Sequence, residues 1–185
     1  MGFNKIALKN YKNIGSLARS SKFLYKKMVC NIDFSKDLKL VEYGPGDGVF
    51  TDELIKQTTK DSKIYLFEID PYFCDLLKEK YKNNSKITIY DKSAIIAKDL
   101  FDENSIDCVL SSLPLAFIDD NNVNQILSTS KNILKPEGNF VQYQYFLQNK
   151  NNIKNVFGNI NYKFTPLNFP PAFVYVCQKK LGAKI

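Results

Sequence analysis

Twelve residues constrain this chain more than any others: Leu40-Val41-Glu42-Tyr43-Gly44-Pro45-Gly46-Asp47-Gly48-Val49-Phe50-Thr51. An apolar run ends in glycines at alternate positions, and an amphipathic segment follows at once. That order predicts a strand, a tight turn and a helix, the ligand-binding corner of an α/β sheet. Glycine lets the backbone turn sharply and approach a ligand where a Cβ would collide. A dinucleotide fingerprint, G-x-G-x-x-G, would need its third glycine at position 49, which is Val49. No lysine follows the turn, as a P-loop requires. An acid, Glu42, stands two places before the first glycine.

The rest of the chain reads as alternating strands and helices. Lys63 to Glu68 is a second buried strand, and its tip places Glu68 twenty residues beyond Gly48. An acid at that spacing accepts the hydroxyls of a ribose. Asp70 before Pro71 marks a helix start, and residues 71–83 form the helix. Lys86 to Tyr90 is a third strand, followed by Asp91-Lys92-Ser93-Ala94. A helical turn or two spans 94–101. The fourth strand, Ile106 to Leu110, leads into Ser111-Ser112-Leu113-Pro114-Leu115, a loop that the switch-point rule sets beside the ligand. A helix over 119–135 closes in a turn at Pro136-Glu137-Gly138. Asn139 to Phe146 is a fifth strand with Tyr143 and Tyr145 on one side, and Tyr162 to Thr165 and Ala172 to Cys177 complete seven. The expected architecture is a doubly wound, mostly parallel seven-stranded α/β sheet with helices on both faces.

Charge is uneven along the chain. Residues 1–32 carry seven of the 26 basic residues and no Asp or Glu, which equals the whole net charge of +7. As a helix, residues 3–14 would gather Phe3, Ile6, Ala7 and Ile14 on one face and Lys5, Lys9 and Lys12 on the other. Such a basic amphipathic helix suits an anionic membrane surface. A second helix after Ser20 or Ser21, with Leu24 and Met28 on one face, is expected to cover the sheet. We therefore divide the chain into a basic N-terminal segment, 1–31, and one globular unit, 32–185. There is no histidine, which removes Ser-His and Cys-His catalysis and Cys/His zinc sites, and no metal is expected. Cysteines at 30, 74, 108 and 177 have no close pair and fit reduced thiols. No apolar run reaches the roughly 18 residues of a membrane span, and the charged N-terminus lacks the apolar core of a secretory signal.

The pattern E-x-G-x-G-x-G resembles that of class I methyltransferases, which bind S-adenosylmethionine. More specifically, the chain resembles a bacterial family of phospholipid N-methyltransferases that is itself similar to ribosomal RNA adenine dimethyltransferases. The likeness runs through Asn10 to Ser21, Val41 to Thr51, Phe67 to Pro71 and Ser111 to Leu115 (S-S-L-P-L). It continues in Leu134 to Gly138, Val141 to Tyr145 and Pro170 to Val176 (P-P-A-F-V-Y-V). It implies a Rossmann-like fold and S-adenosylmethionine held by Glu42, Gly44, Gly46, Gly48, Glu68, Ile69 and Ser111. The adenine contact falls to Asp91 or Ser93, because D-K-S-A replaces the family's usual G-D-A or G-S-A. Arg19 stands where the family usually has proline.

The implied reaction is transfer of a methyl group to the amine of phosphatidylethanolamine or its partly methylated forms. Ser112, Leu113, Pro114, Tyr143 and Tyr145 would position the acceptor, the tyrosines through cation–π contact with the product; no residue stands out as a base. The implied partners are a phospholipid substrate and an anionic membrane touched by Phe3, Lys5, Ile6, Lys9, Lys12 and Ile14, at the cytoplasmic face of the cell membrane. Two rivals remain. An RNA adenine-N6 methyltransferase usually carries N-L-P-Y or N/D-P-P-Y/F, whereas here Ser112 and Leu115 replace the amide and the aromatic, which disfavours nucleic acid. A non-catalytic membrane-binding module would not need Glu68 and the glycines.

Overall fold

A computed structural model of the protein describes residues 22–145, 147, 149–166 and 171–180. The N-terminal residues 3–14, read above as an amphipathic membrane helix, lie outside the described residues. Seven strands form one sheet: β1 (Lys39–Tyr43), β2 (Lys63–Phe67), β3 (Ile87–Tyr90), β4 (Ile106–Ser111), β5 (Leu134–Gln144), β6 (Asn161–Thr165) and β7 (Ala172–Gln178). Their order is β3-β2-β1-β4-β5-β7-β6. β1 to β5 are parallel, and β7 pairs antiparallel with both β5 and β6. The sheet is thus doubly wound and mostly parallel, with its switch point between β1 and β4.

The central strands are buried on both faces, which is why they read as continuous apolar runs rather than as alternation. On one face Leu40, Cys108, Leu110, Val141 and Tyr143 pack under α1 (Lys22–Val29), α2 (Val49–Gln57) and α3 (Pro71–Tyr81). On the other, Val41, Tyr43, Val109 and Phe140 meet the short α4 (Ala97–Leu100), α5 (Asp120–Ile133) and α6 (Lys150–Phe157). Helix α1 buries Leu24, Tyr25, Met28 and Val29 in the first of these cores. The division at residue 31 therefore does not separate two bodies among the described residues.

Asp70 caps α3, its carboxylate accepting from the Tyr72 N–H at 3.0 Å with Pro71 in the first helical position. Asp119 caps α5 in the same way through Asn122 N–H at 2.9 Å.

One local expectation is corrected and one helix is added. The turn at Pro136-Glu137-Gly138 is a bulge inside β5: register moves from Ile106↔Leu134 to Cys108↔Asn139, and Glu137 takes φ 65°. Extra residues on one strand bend it without ending it. Helix α6 was not expected, because its Asn- and Lys-rich sequence carries a sparse apolar signal; Ile153 and Phe157, one turn apart, are its buried residues.

Candidate active site

Beyond Tyr43 the chain turns through Gly44, Gly46 and Gly48 with φ of 67°, 56° and 80°, a region that side-chain-bearing residues seldom enter. The three glycines do different jobs. A Cβ on Gly44 would stand 3.0 Å from Cδ2 of Leu113, so the loop after β4 rests on the turn. A Cβ on Gly48 would stand 2.5 Å from the Tyr81 hydroxyl and 3.1 Å from Leu77, so this glycine admits α3. A Cβ on Gly46 would meet nothing within 4 Å. That open side is where a ligand can approach the backbone.

Glu68, at the carboxyl end of β2, closes the other side of the turn. Its Oε1 accepts from Ile69 N–H (2.8 Å) and Asp70 N–H (2.9 Å), and its Oε2 from Gly46 N–H (3.2 Å). A carboxylate offers about four acceptor positions, so capacity remains on Oε2, beside the longest of these bonds. Burial pushes the Glu68 carboxyl up, against the pull of the three N–H groups. Ile69, 39% exposed, offers an apolar surface next to it.

Glu42 is inside the protein, 1% exposed. Its Oε2 accepts from the Thr51 hydroxyl on α2 at 2.7 Å, while Oε1 has no hydrogen-bond partner. Burial pushes its carboxyl up to about 7, countered by the Thr51 bond and raised further by Asp52 and Glu68. A buried acid beside the glycine turn supports it from below; it does not face the crevice as a free anion.

Of the two adenine candidates, Asp91 is exposed and bound to Lys78, Nζ to Oδ2 at 3.3 Å, which holds its carboxyl below the usual range. Ser93 is half-buried and caps the 3₁₀ turn Ala94–Ile96, accepting from Ile95 N–H at 3.3 Å.

The loop after β4 is locked to both neighbours. Ser112 N–H donates to Tyr43 O at 2.9 Å, and Leu113 N–H donates to the hydroxyl oxygen of the buried Ser111 at 3.4 Å. The Leu113 carbonyl accepts from Leu115 N–H (2.9 Å) and from Nε2 of Gln142 (3.0 Å). Gln142 is fully buried on β5, and sequence reading passed it over. A glutamine on a core-facing position of a central strand was the available signal, since buried polar side chains mark sites of function.

Leu113 and Pro114 are half-buried and line the loop, but Leu115 is fully buried in the core and contributes no wall. Tyr143 is 9% exposed, its ring edge-on to Phe50 and Tyr145, so it serves the core; Tyr145 is half-buried. Phe117, just past the loop, is 53% exposed.

A family model described as "Ribosomal RNA adenine dimethylase" matches residues 9–167. The chain belongs to the ribosomal RNA adenine dimethylase family. Within reach of this family lie proteins of two substrate classes. An ornithine lipid N-methyltransferase of Singulisphaera acidiphila is 28% identical, over 89% of this chain and 88% of that protein. The ribosomal RNA small subunit methyltransferase A of a Sulfurihydrogenibium species is 34% identical, over 57% of this chain and only 37% of its own length. Among solved structures, an S-adenosylmethionine-dependent O-methyltransferase of Thermotoga maritima superposes with a TM-score of 0.69 at 13% identity, covering 94% of this chain and 71% of that one.

This family member is an S-adenosylmethionine-dependent methyltransferase with a Rossmann-like sheet. The residues present fit that cofactor: the side of Gly46 that a Cβ would fill is open, and Glu68 stands beside it with an acceptor position to spare. Glu68 would hold the ribose, Ile69 the adenine face, and the backbone of Gly44 to Gly48 the amino-acid tail.

Proposed function

We propose that this methyltransferase methylates the amine of a phospholipid, phosphatidylethanolamine first and then its partly methylated forms. One observation carries the reading. At the loop where a base-methylating enzyme presents an amide and an aromatic ring, this chain has Ser112 and a Leu115 turned wholly into the core, behind an apolar lining of Leu113 and Pro114. Such a lining suits a small aliphatic amine and offers no face on which a base would stack. The lipid-modifying relative, matched along most of both chains, supports the same class.

When bound, S-adenosylmethionine supplies a methyl group on a positively charged sulfur. The chain's own contribution is placement. Glu68 and the glycine turn fix one reactant, and Gln142 fixes the Leu113 carbonyl against which the other is aimed. Alignment of this kind contributes up to about 7–11 kcal/mol in favourable cases. Leu113 and Pro114 exclude water, and desolvation favours the neutral, nucleophilic amine over its ammonium form.

Among the described residues no helix is long and apolar enough to cross a membrane. In this reading Phe3, Ile6 and Ile14 with Lys5, Lys9 and Lys12 attach the enzyme to the anionic inner face of the cell membrane. The family model and the ribosomal RNA methyltransferase relative favour a second reading, methylation of adenine N6 in RNA. Labelled cofactor offered with phosphatidylethanolamine vesicles, ornithine lipid vesicles and ribosomal RNA separates the two. Label in lipid and none in RNA is expected; label in RNA alone would overturn the lipid reading, and label in ornithine lipid alone would move the acceptor within it.

A further inference from the structure

The two edges of the sheet differ in kind. On the amino edge, three of the segments joining helices to strands, 58–62, 82–86 and 102–105, carry only Lys, Asp, Glu, Asn, Ser and Thr, and the bulge at 135–138 adds Lys135 and Glu137. Leu100, ending α4, and Tyr162, opening β6, are the exposed large apolar side chains toward that edge among the described residues. The carboxyl edge is the reverse. Tyr72 (65% exposed) follows β2, Phe117 (53%) follows β4, Leu147 (44%) follows β5, and Phe164 (47%) stands at the carboxyl end of β6. These loops also frame the crevice.

We infer that the carboxyl edge is a face that seats on the headgroup–acyl boundary of a bilayer, with the crevice mouth opening onto the lipid. The inference rests on the proposed lipid substrate. Such a substrate keeps its chains in the membrane, so the mouth must come to the amine. Tyr and Phe suit this depth, since an aromatic body enters the apolar layer while polar groups stay in the headgroups. Charge selects the kind of surface. The exposed charges on the loops that flank the switch point are Asp47 after β1 and Asp119 and Asp120 after β4, all acidic. Carboxylates there meet the ammonium groups of an amine-bearing, zwitterionic layer and repel a phosphodiester chain, which disfavours RNA stacked on the same aromatics. The apolar part of this seating persists at high salt, unlike attachment through the N-terminal lysines.

The test uses full-length protein and a triple variant, Tyr72→Ser, Phe117→Ser and Leu147→Ser, none of them assigned to the cofactor or the acceptor. Vesicles contain phosphatidylethanolamine and phosphatidylcholine only, at roughly 0.5 M salt, where charge interactions between exposed groups are screened within a few ångströms. The variant is expected to bind S-adenosylhomocysteine as the wild type does and to keep its kcat/KM on monomeric dihexanoyl phosphatidylethanolamine. Its vesicle binding and vesicle methylation should fall at least about tenfold, the factor that burial of one such side chain sets. Equal sedimentation of variant and wild type with these vesicles overturns the face. So does a wild-type dimer that the variant loses, or RNA binding that it loses. Should the wild type methylate no lipid at all, the substrate reading fails on its own, while sedimentation still judges the face.

Discussion

Glu68→Gln is the sharpest test of the cofactor site, because it keeps shape and removes charge. In the native protein Oε1 takes two N–H groups and Oε2 takes the Gly46 N–H. A glutamine keeps its carbonyl on Ile69 and Asp70 and turns its NH₂ toward the Gly46 N–H and the ribose. One charge-assisted bond to the ribose is lost, and hydrogen bonds to charged groups contribute about 1.5–3 kcal/mol. At 1.4 kcal/mol per factor of ten, the dissociation constant rises about 10–150-fold. Calorimetry should show the same loss for S-adenosylmethionine and S-adenosylhomocysteine, since the ribose is common to both. At saturating cofactor, kcat should recover most of its value. Because burial raises the Glu68 carboxyl, wild-type affinity should also decline on acidification, and the variant's should not. A folded Glu68→Gln protein with native affinity would remove the ribose role from this residue.

Gly46→Ala and Gly48→Ala should separate ligand space from packing space. Both place Ala at positive φ, about 1–2 kcal/mol of strain, but Gly48→Ala also drives a Cβ into the Tyr81 hydroxyl; it should lose more Tm, while Gly46→Ala should lose more cofactor affinity. Equal behaviour of the pair in melting and calorimetry would refute the division. Glu42 holds a proton in the folded state up to about pH 7 against an ordinary value of 4.5, so the folded state binds more protons across that window and stability falls as pH rises through it. The decline should reach at most about 3 kcal/mol and vanish in Glu42→Gln, as read by denaturant titration from pH 4.5 to just above pH 7; a wild type as flat as the variant removes the buried proton. Deleting residues 2–14 should abolish salt-sensitive binding to anionic vesicles, each lysine contributing about 1 kcal/mol; unchanged sedimentation would show that the anchor lies elsewhere.

The sheet was legible because its strands are short apolar runs punctuated by glycine, proline and capping acids, signals that act locally. Gly44, Gly46, Gly48 and Glu68 were legible for the same reason: one turn and one strand tip carry them. What escaped depended on partners distant in sequence. Gln142 meets Leu113 across two strands, and only the register of β4 with β5 brings them together. Leu115 reads like its neighbours Leu113 and Pro114, yet a 3₁₀ turn, Leu115–Phe117, rotates it into the core and leaves Phe117 outside. Asp91 and Ser93 differ by a salt bridge to Lys78 on the preceding helix, which no local pattern announces.

The contact between Leu113 and Gly44 has a bearing on how such an enzyme changes its clientele over generations. The Leu113 side chain stands against Gly44, between the loop proposed to meet the acceptor and the turn proposed to carry the methyl donor's tail. A larger residue at 113, chosen to greet a flat aromatic acceptor, would press on the glycine turn; a smaller one would leave it unsupported. Drift toward a new acceptor therefore runs through an intermediate with impaired donor binding unless position 142 or 44 changes with it. Substitutions at 113, 142 and 44 should accordingly be inherited as a set.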